Sequence, residues 1–173
     1  MNRTIANNIL RFLLLGASQV FIFRFMDWQL GGVNYLHIQL YPLFVLLLPL
    51  RTAPSLIILL SFLLGLSVDI FYETLGINAA AAAFSAWLRP LVLRIIQPRE
   101  GYNYTQSPTK AYLGDAWFFQ YSAIFMAFHL FIYFAVEAFT FVYIVQIIAK
   151  TVVSWLGSML FLLMLIYPFN PKS

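Results

Sequence analysis

Long apolar runs separated by short polar punctuation dominate this chain. A helix needs roughly 20 apolar residues to cross about 30 Å of hydrocarbon. Six stretches approach that length, over 9–26, 36–50, 54–72, 77–97, 117–138 and 142–167. Arg11 and Arg24 trim the apolar core of the first, and Gln19 interrupts it. The pattern predicts an all-α polytopic membrane protein: one integral membrane domain over 1–173, a compact bundle of six transmembrane helices, with a polar loop at 98–115. Residues 1–23 have basic residues ahead of an apolar run, as a signal peptide does. Gly16, Ala17 and Ser18 lie inside that run, however, and five more follow, so it reads as a retained first helix.

Composition makes the membrane reading compulsory. Of 173 residues, 62% are hydrophobic and 9% charged, with a mean hydropathy of +0.85. Soluble domains run near half apolar and a quarter charged. So much apolar surface does not fit inside the volume of the chain. There are no cysteines, which excludes disulfides, thiolate metal sites and cysteine nucleophiles.

The positive charges set an orientation. With the N-terminus cytoplasmic, the cytoplasmic side receives Arg3, Arg11, Arg51, Arg94, Arg99, Lys110 and Lys172, and the outer side only Arg24 and Lys150. The positive-inside rule then places both termini in the cytoplasm. The acids Asp27, Asp69, Glu73 and Glu137 fall toward the outside. Trp28, Tyr35, Tyr72 and Tyr143 mark the outer interface, and Tyr112, Trp117 and Tyr167 the inner one, as an anchoring belt. The net charge of +4 serves anchoring and topology; nucleic-acid binding is a poor account of it.

The stretch SFLLGLSVDIFYETLGINAAAAAF (61–84) carries two carboxylates in an apolar setting. Asp69 and Glu73 are about one helical turn apart and share a face. Asp69 lies roughly 22 Å along the third span, in the outer third of the bilayer. At that depth a carboxylate faces protein, a cation or water rather than lipid. Lys150 is the internal candidate for an intramembrane ion pair, Arg24 a second, and another protein a third; otherwise the acid is neutral or snorkels. Gly65 and Gly76 flank it, and Ala79 and Ala83 make a small-residue face that admits a close helix. Gly65, Asp69, Glu73, Gly76, Ala79 and Ala83 are thus candidates for helix packing, within the chain or with a partner.

In the fourth span, Pro90 removes a backbone donor beside Arg89. Arg89 and Arg94 are candidate contacts for lipid or a partner's acid, against the alternative of plain snorkelling anchors. The loop PREGYNYTQSPTKAYLGD shows turn residues and mixed charge without a phosphate or metal pattern. His37 and His129 have no second histidine at ligand spacing, and no serine elbow or nucleotide loop occurs. No catalytic, metal or cofactor site follows from these residues.

The run YPLFVLLLPLRTAPSLIILLSFLLGLSVDIFYETLGINAAAAAF, with Pro42, Pro49 and Arg51, and the order Gly65, Asp69, Leu75, Gly76, resemble MreD, the rod shape-determining membrane protein family of bacteria. LRPLVLRIIQPREGY is similar to the version found in Bacteroidetes, and HLFIYFAVEAF, with Glu137, to the end of the fifth span. The resemblance covers residues 40–139 and extends to the outer spans in character only. It implies a non-enzymatic subunit of the cell-elongation machinery in the bacterial inner membrane, without cofactors. Implied partners are an MreC-like bitopic protein, a RodA-type polymerase with its class B penicillin-binding protein, and MreB filaments on the cytoplasmic side. The family is also similar in fold to the substrate-binding subunits of energy-coupling-factor vitamin transporters. A scaffold binding partner helices and a solute-binding transport subunit are therefore the two readings carried forward.

Overall fold

The computed structural model describes residues 3–26, 28–30, 33–103 and 107–166. Asp27, Tyr167 and Lys172, which contribute to the charge and aromatic patterns, lie outside them. Among the described residues the architecture is all-helical apart from one small hairpin. Helix α1 spans Arg3–Phe21, followed by strands β1 (Trp28–Leu30) and β2 (Val33–Leu36), paired antiparallel. The short α2 (Leu43–Leu47) precedes α3 (Pro54–Tyr72) and α4 (Ile77–Ile95). After the short α5 (Lys110–Leu113) come α6 (Asp115–Ala138) and α7 (Ile144–Ile166). Helices α3, α6 and α7 are long and apolar enough to cross a membrane, which marks this as a membrane protein.

The expected helix over 54–72 is α3 itself, with proline at its first turn, where a missing N–H costs nothing. Helix α1 starts earlier than expected, at Arg3, because its polar first turns have no apolar signal to announce them. The larger correction concerns 36–50, which is not a helical span. It is extended through residue 40, makes the short helix α2, and turns at Pro49. Pro42 and Pro49 disfavour helical geometry just before them and remove amide donors, confining helix to the residues between. As one continuous helix the segment would reach only about 22 Å.

This broken segment is the centre of the molecule. Leu40, Tyr41, Phe44, Val45 and Leu46 are each at most 2% exposed and form one core with Leu64, Phe125, Met126 and Leu162. Irregular backbone survives at membrane depth only when protein surrounds it. Around it, α3 packs on α4, α4 on α6, and α6 on α7. Outward faces are apolar, with Ile70, Val145, Leu156 and Met164 exposed.

The α3–α4 contact is backbone against backbone. A Cβ on Gly65 would sit 2.5 Å from the Asn78 carbonyl oxygen and 2.7 Å from the Ala79 Cα. Neither atom moves without moving α4. Gly65→Ala is expected to cost about 2–3 kcal/mol, the upper range for overpacking, read as a lowered unfolding midpoint in detergent. An unchanged midpoint would mean that the two helices separate freely.

Candidate functional site

Asp69 is 2% exposed, one turn before the end of α3. The chain leaves that helix through Glu73 (φ 57°) and enters α4 through Gly76 (φ 83°). Two left-handed residues fold the α4 N-terminus back over the carboxylate. Asp69 Oδ1 accepts from the Thr74 hydroxyl, the Asn78 N–H at 3.0 Å and Asn78 Nδ2 at 3.0 Å. Its Oδ2 accepts from the Ala79 N–H at 2.8 Å. Those amides belong to the first turn of α4, where no intrahelical acceptor exists. The aspartate thus caps the following helix and sits at the positive end of its dipole.

This geometry overturns the expected Asp69–Lys150 pair. Lys150 Nζ lies 2.9 Å from Glu137 Oε2, joining α7 to α6. Asp69 faces α4, where backbone donors already surround it. The second candidate, Arg24, lies over the Tyr72 ring, 5.8 Å from its centroid. Of the other named positions, Ala79 is buried against Gly65, Ala83 is half-buried, and Glu73 is exposed. The small-residue face is thus occupied within the chain at Gly65 and Ala79. Arg94 is exposed, whereas Arg89 is buried rather than snorkelled.

From Asp69 a polar chain runs inward. Asn78 meets the Tyr41 hydroxyl, which donates to its carbonyl or side-chain oxygen, each 3.3 Å away, or to His129 Nε2 at 3.1 Å. Ser85 Oγ donates to the Ala81 carbonyl at 2.7 Å and lies 2.9 Å from His129 Nδ1. The serine proton being committed, Nδ1 carries the histidine proton and Nε2 accepts from Tyr41. Tyr41, Asn78, Ser85 and His129 are each at most 1% exposed. A serine beside a histidine resembles the start of a catalytic dyad, but here both serve to join α4, α6 and the broken segment.

Four side chains that the apolar pattern disguises hold that segment's backbone. Gln19 Nε2 donates to the Ile38 carbonyl at 2.9 Å, and its Oε1 accepts from the Leu40 N–H at 2.8 Å. Ser154 Oγ accepts from the His37 N–H at 2.9 Å, and Ser158 Oγ from the Gln39 N–H at 3.0 Å. Arg89 Nη2 donates to the Leu48 carbonyl. Between the serines, Gly157 lets Leu36 approach; a Cβ there would lie 2.8 Å from Leu36 Cδ1. Ser154, Gly157 and Ser158 share one helical face, a spacing that does signal a close backbone neighbour. Tyr72, expected as an interface anchor, also donates its hydroxyl to the Gln19 carbonyl at 3.1 Å.

Three surface depressions bear on function. One, of about 280 Å³ near the α3–α4 turn, is lined by Arg24, His37, Tyr72, Thr74, Tyr133 and Glu137, among others. The His37 ring stacks on Tyr133 with centroids 5.0 Å apart. A groove of about 230 Å³ between α1 and α3 is lined by Gly16, Ala17, Ser67, Phe12, Phe21 and Phe71, among others. The third, of about 640 Å³, lies between the start of α3 and the end of α4. Among the described residues no group of three or more His, Asp or Glu side chains is placed to hold a metal ion. Compared with protein-family models, curated proteins and solved structures, the chain matches none.

Proposed function

We propose that this protein is a non-enzymatic membrane scaffold of the bacterial cell-elongation complex, organising peptidoglycan synthesis through helix–helix contacts. In this reading it crosses the inner membrane six times with both termini cytoplasmic, the second crossing being made by the broken segment 36–50. The observation that carries it is the groove between α1 and α3. Ala17 and Ser67 leave room for a foreign helix to approach closely, and Phe12, Phe21 and Phe71 beside them supply contact area. Its occupant in this proposal is the single helix of an MreC-like bitopic protein, with the RodA-type polymerase, its class B penicillin-binding protein and MreB filaments recruited around that pair.

The polar depression lined by Arg24, His37, Tyr72 and Glu137 favours the second reading, a solute-binding subunit of a vitamin-type transporter. Its roughly 280 Å³ falls just below the usual range for small-molecule pockets, about 300–1,000 Å³. One experiment separates the two. Co-expressed with the MreC-like protein, the wild type should retain it through purification, whereas Ala17→Trp, which fills the groove at an exposed position, should lose it while staying folded. Retention unaffected by Ala17→Trp would remove the groove's role. A tightly retained small molecule in place of the protein partner would support the transport reading instead.

A further inference from the structure

We propose that the cleft between the start of α3 and the end of α4 binds the phosphate of an anionic phospholipid, its acyl chain lying along the cleft's apolar wall. This site requires no protein partner and is separate from the α1–α3 groove. Three arginines, Arg51, Arg89 and Arg94, line the cleft, and no carboxylate does.

Arg89 carries the argument. It is 2% exposed, yet both of its hydrogen-bond acceptors are neutral: the Tyr121 hydroxyl, 2.9 Å from Nε, and the Leu48 carbonyl. Its Nη1 has no hydrogen-bond partner among the described residues. A guanidinium drawn out of water is expensive to keep without a counter-charge. Arg51 and Arg94 are exposed beside the same cleft and make no ion pair among the described residues. Helix α3 begins there at Pro54 with no side-chain cap, so its unpaired amides and its dipole add to the positive field. Planar guanidinium groups donate to phosphate oxygens in pairs.

The remainder of the lining selects the rest of the ligand. Ile57 and Leu93 supply a hydrocarbon surface next to the charges. A soluble phosphate would leave that surface uncovered, and a neutral lipid would leave the arginines uncompensated. An amphiphile with a negative headgroup satisfies both.

The test uses the purified full chain in a non-ionic detergent, titrated with phosphatidylglycerol, phosphatidylcholine or soluble glycerophosphate and read by native mass spectrometry. Phosphatidylglycerol should bind at least about tenfold more tightly than phosphatidylcholine. The double variant Arg51→Gln/Arg94→Gln, altered only at exposed positions, should abolish that preference without moving the unfolding midpoint. Arg99→Gln, also exposed but outside the cleft, should keep it within about twofold. Arg89→Lys keeps a charge and should lose part of the preference while remaining folded. Equal binding of the two lipids overturns the proposal. So does an Arg99→Gln loss as large as the double variant's, which would mean diffuse surface attraction. Glycerophosphate binding as tightly as phosphatidylglycerol would identify a soluble phosphate as the occupant and overturn the lipid assignment.

Discussion

Asp69→Leu should unfold the α3–α4 hairpin, lowering stability by about 3 kcal/mol or more. The substitution removes the acceptor for the Asn78 and Ala79 amides, the Asn78 side chain and the Thr74 hydroxyl together. Bonds to a charged acceptor are the stronger kind, and donors stranded in an apolar surround add their own desolvation penalty. Asn78 also contacts Tyr41, so the loss should spread to the broken segment. Asp69→Asn retains one acceptor oxygen and should cost less than Asp69→Leu. Glu73→Gln changes an exposed side chain without altering its backbone and should stay within about 0.5 kcal/mol. Unfolding midpoints in detergent order the three variants. If Asp69→Leu matches wild-type stability but loses partner binding, the acid is a recognition element and its capping role is secondary.

Gln19→Leu is expected to be of similar size, for a different reason. Leucine conserves most of the volume but strands the Ile38 carbonyl and the Leu40 amide, which no neighbouring turn can satisfy. Each unsatisfied backbone group in a water-free surround costs several kcal/mol before relaxation, and about 3 kcal/mol should remain after it. The absence of native cysteine permits a clean readout. A cysteine placed at Leu40, which is fully buried, should resist water-soluble maleimide in the wild-type background and react in the Gln19→Leu background. Protection in both backgrounds would show that the segment is held by packing alone.

These two predictions mark where a linear reading works and where it fails. Helices α3, α4, α6 and α7 were legible to within about two residues at each end, because burial in lipid depends on a sum of local side-chain hydropathies. Proline at the head of α3 and glycine before α4 fixed the turn on local backbone grounds alone. Gln19, by contrast, read as an interruption and is in fact a ligand for backbone. Ser158 lies in an apolar run, yet it receives the Gln39 amide from more than a hundred positions away. Arg89 was a candidate contact for lipid or a partner's acid, and its burial and its bond to Leu48 were invisible in the chain.

What the sequence determined by itself was the solvent of this protein and the position of most of its helices, since both follow from neighbours along the chain. The tertiary structure alone decided how residues 36–50 traverse the bundle and which partners Asp69 and Lys150 take. The reason is hydrogen-bond satisfaction. In a medium without water each buried donor must find an acceptor in space, and that pairing carries no periodic signature in the order of residues.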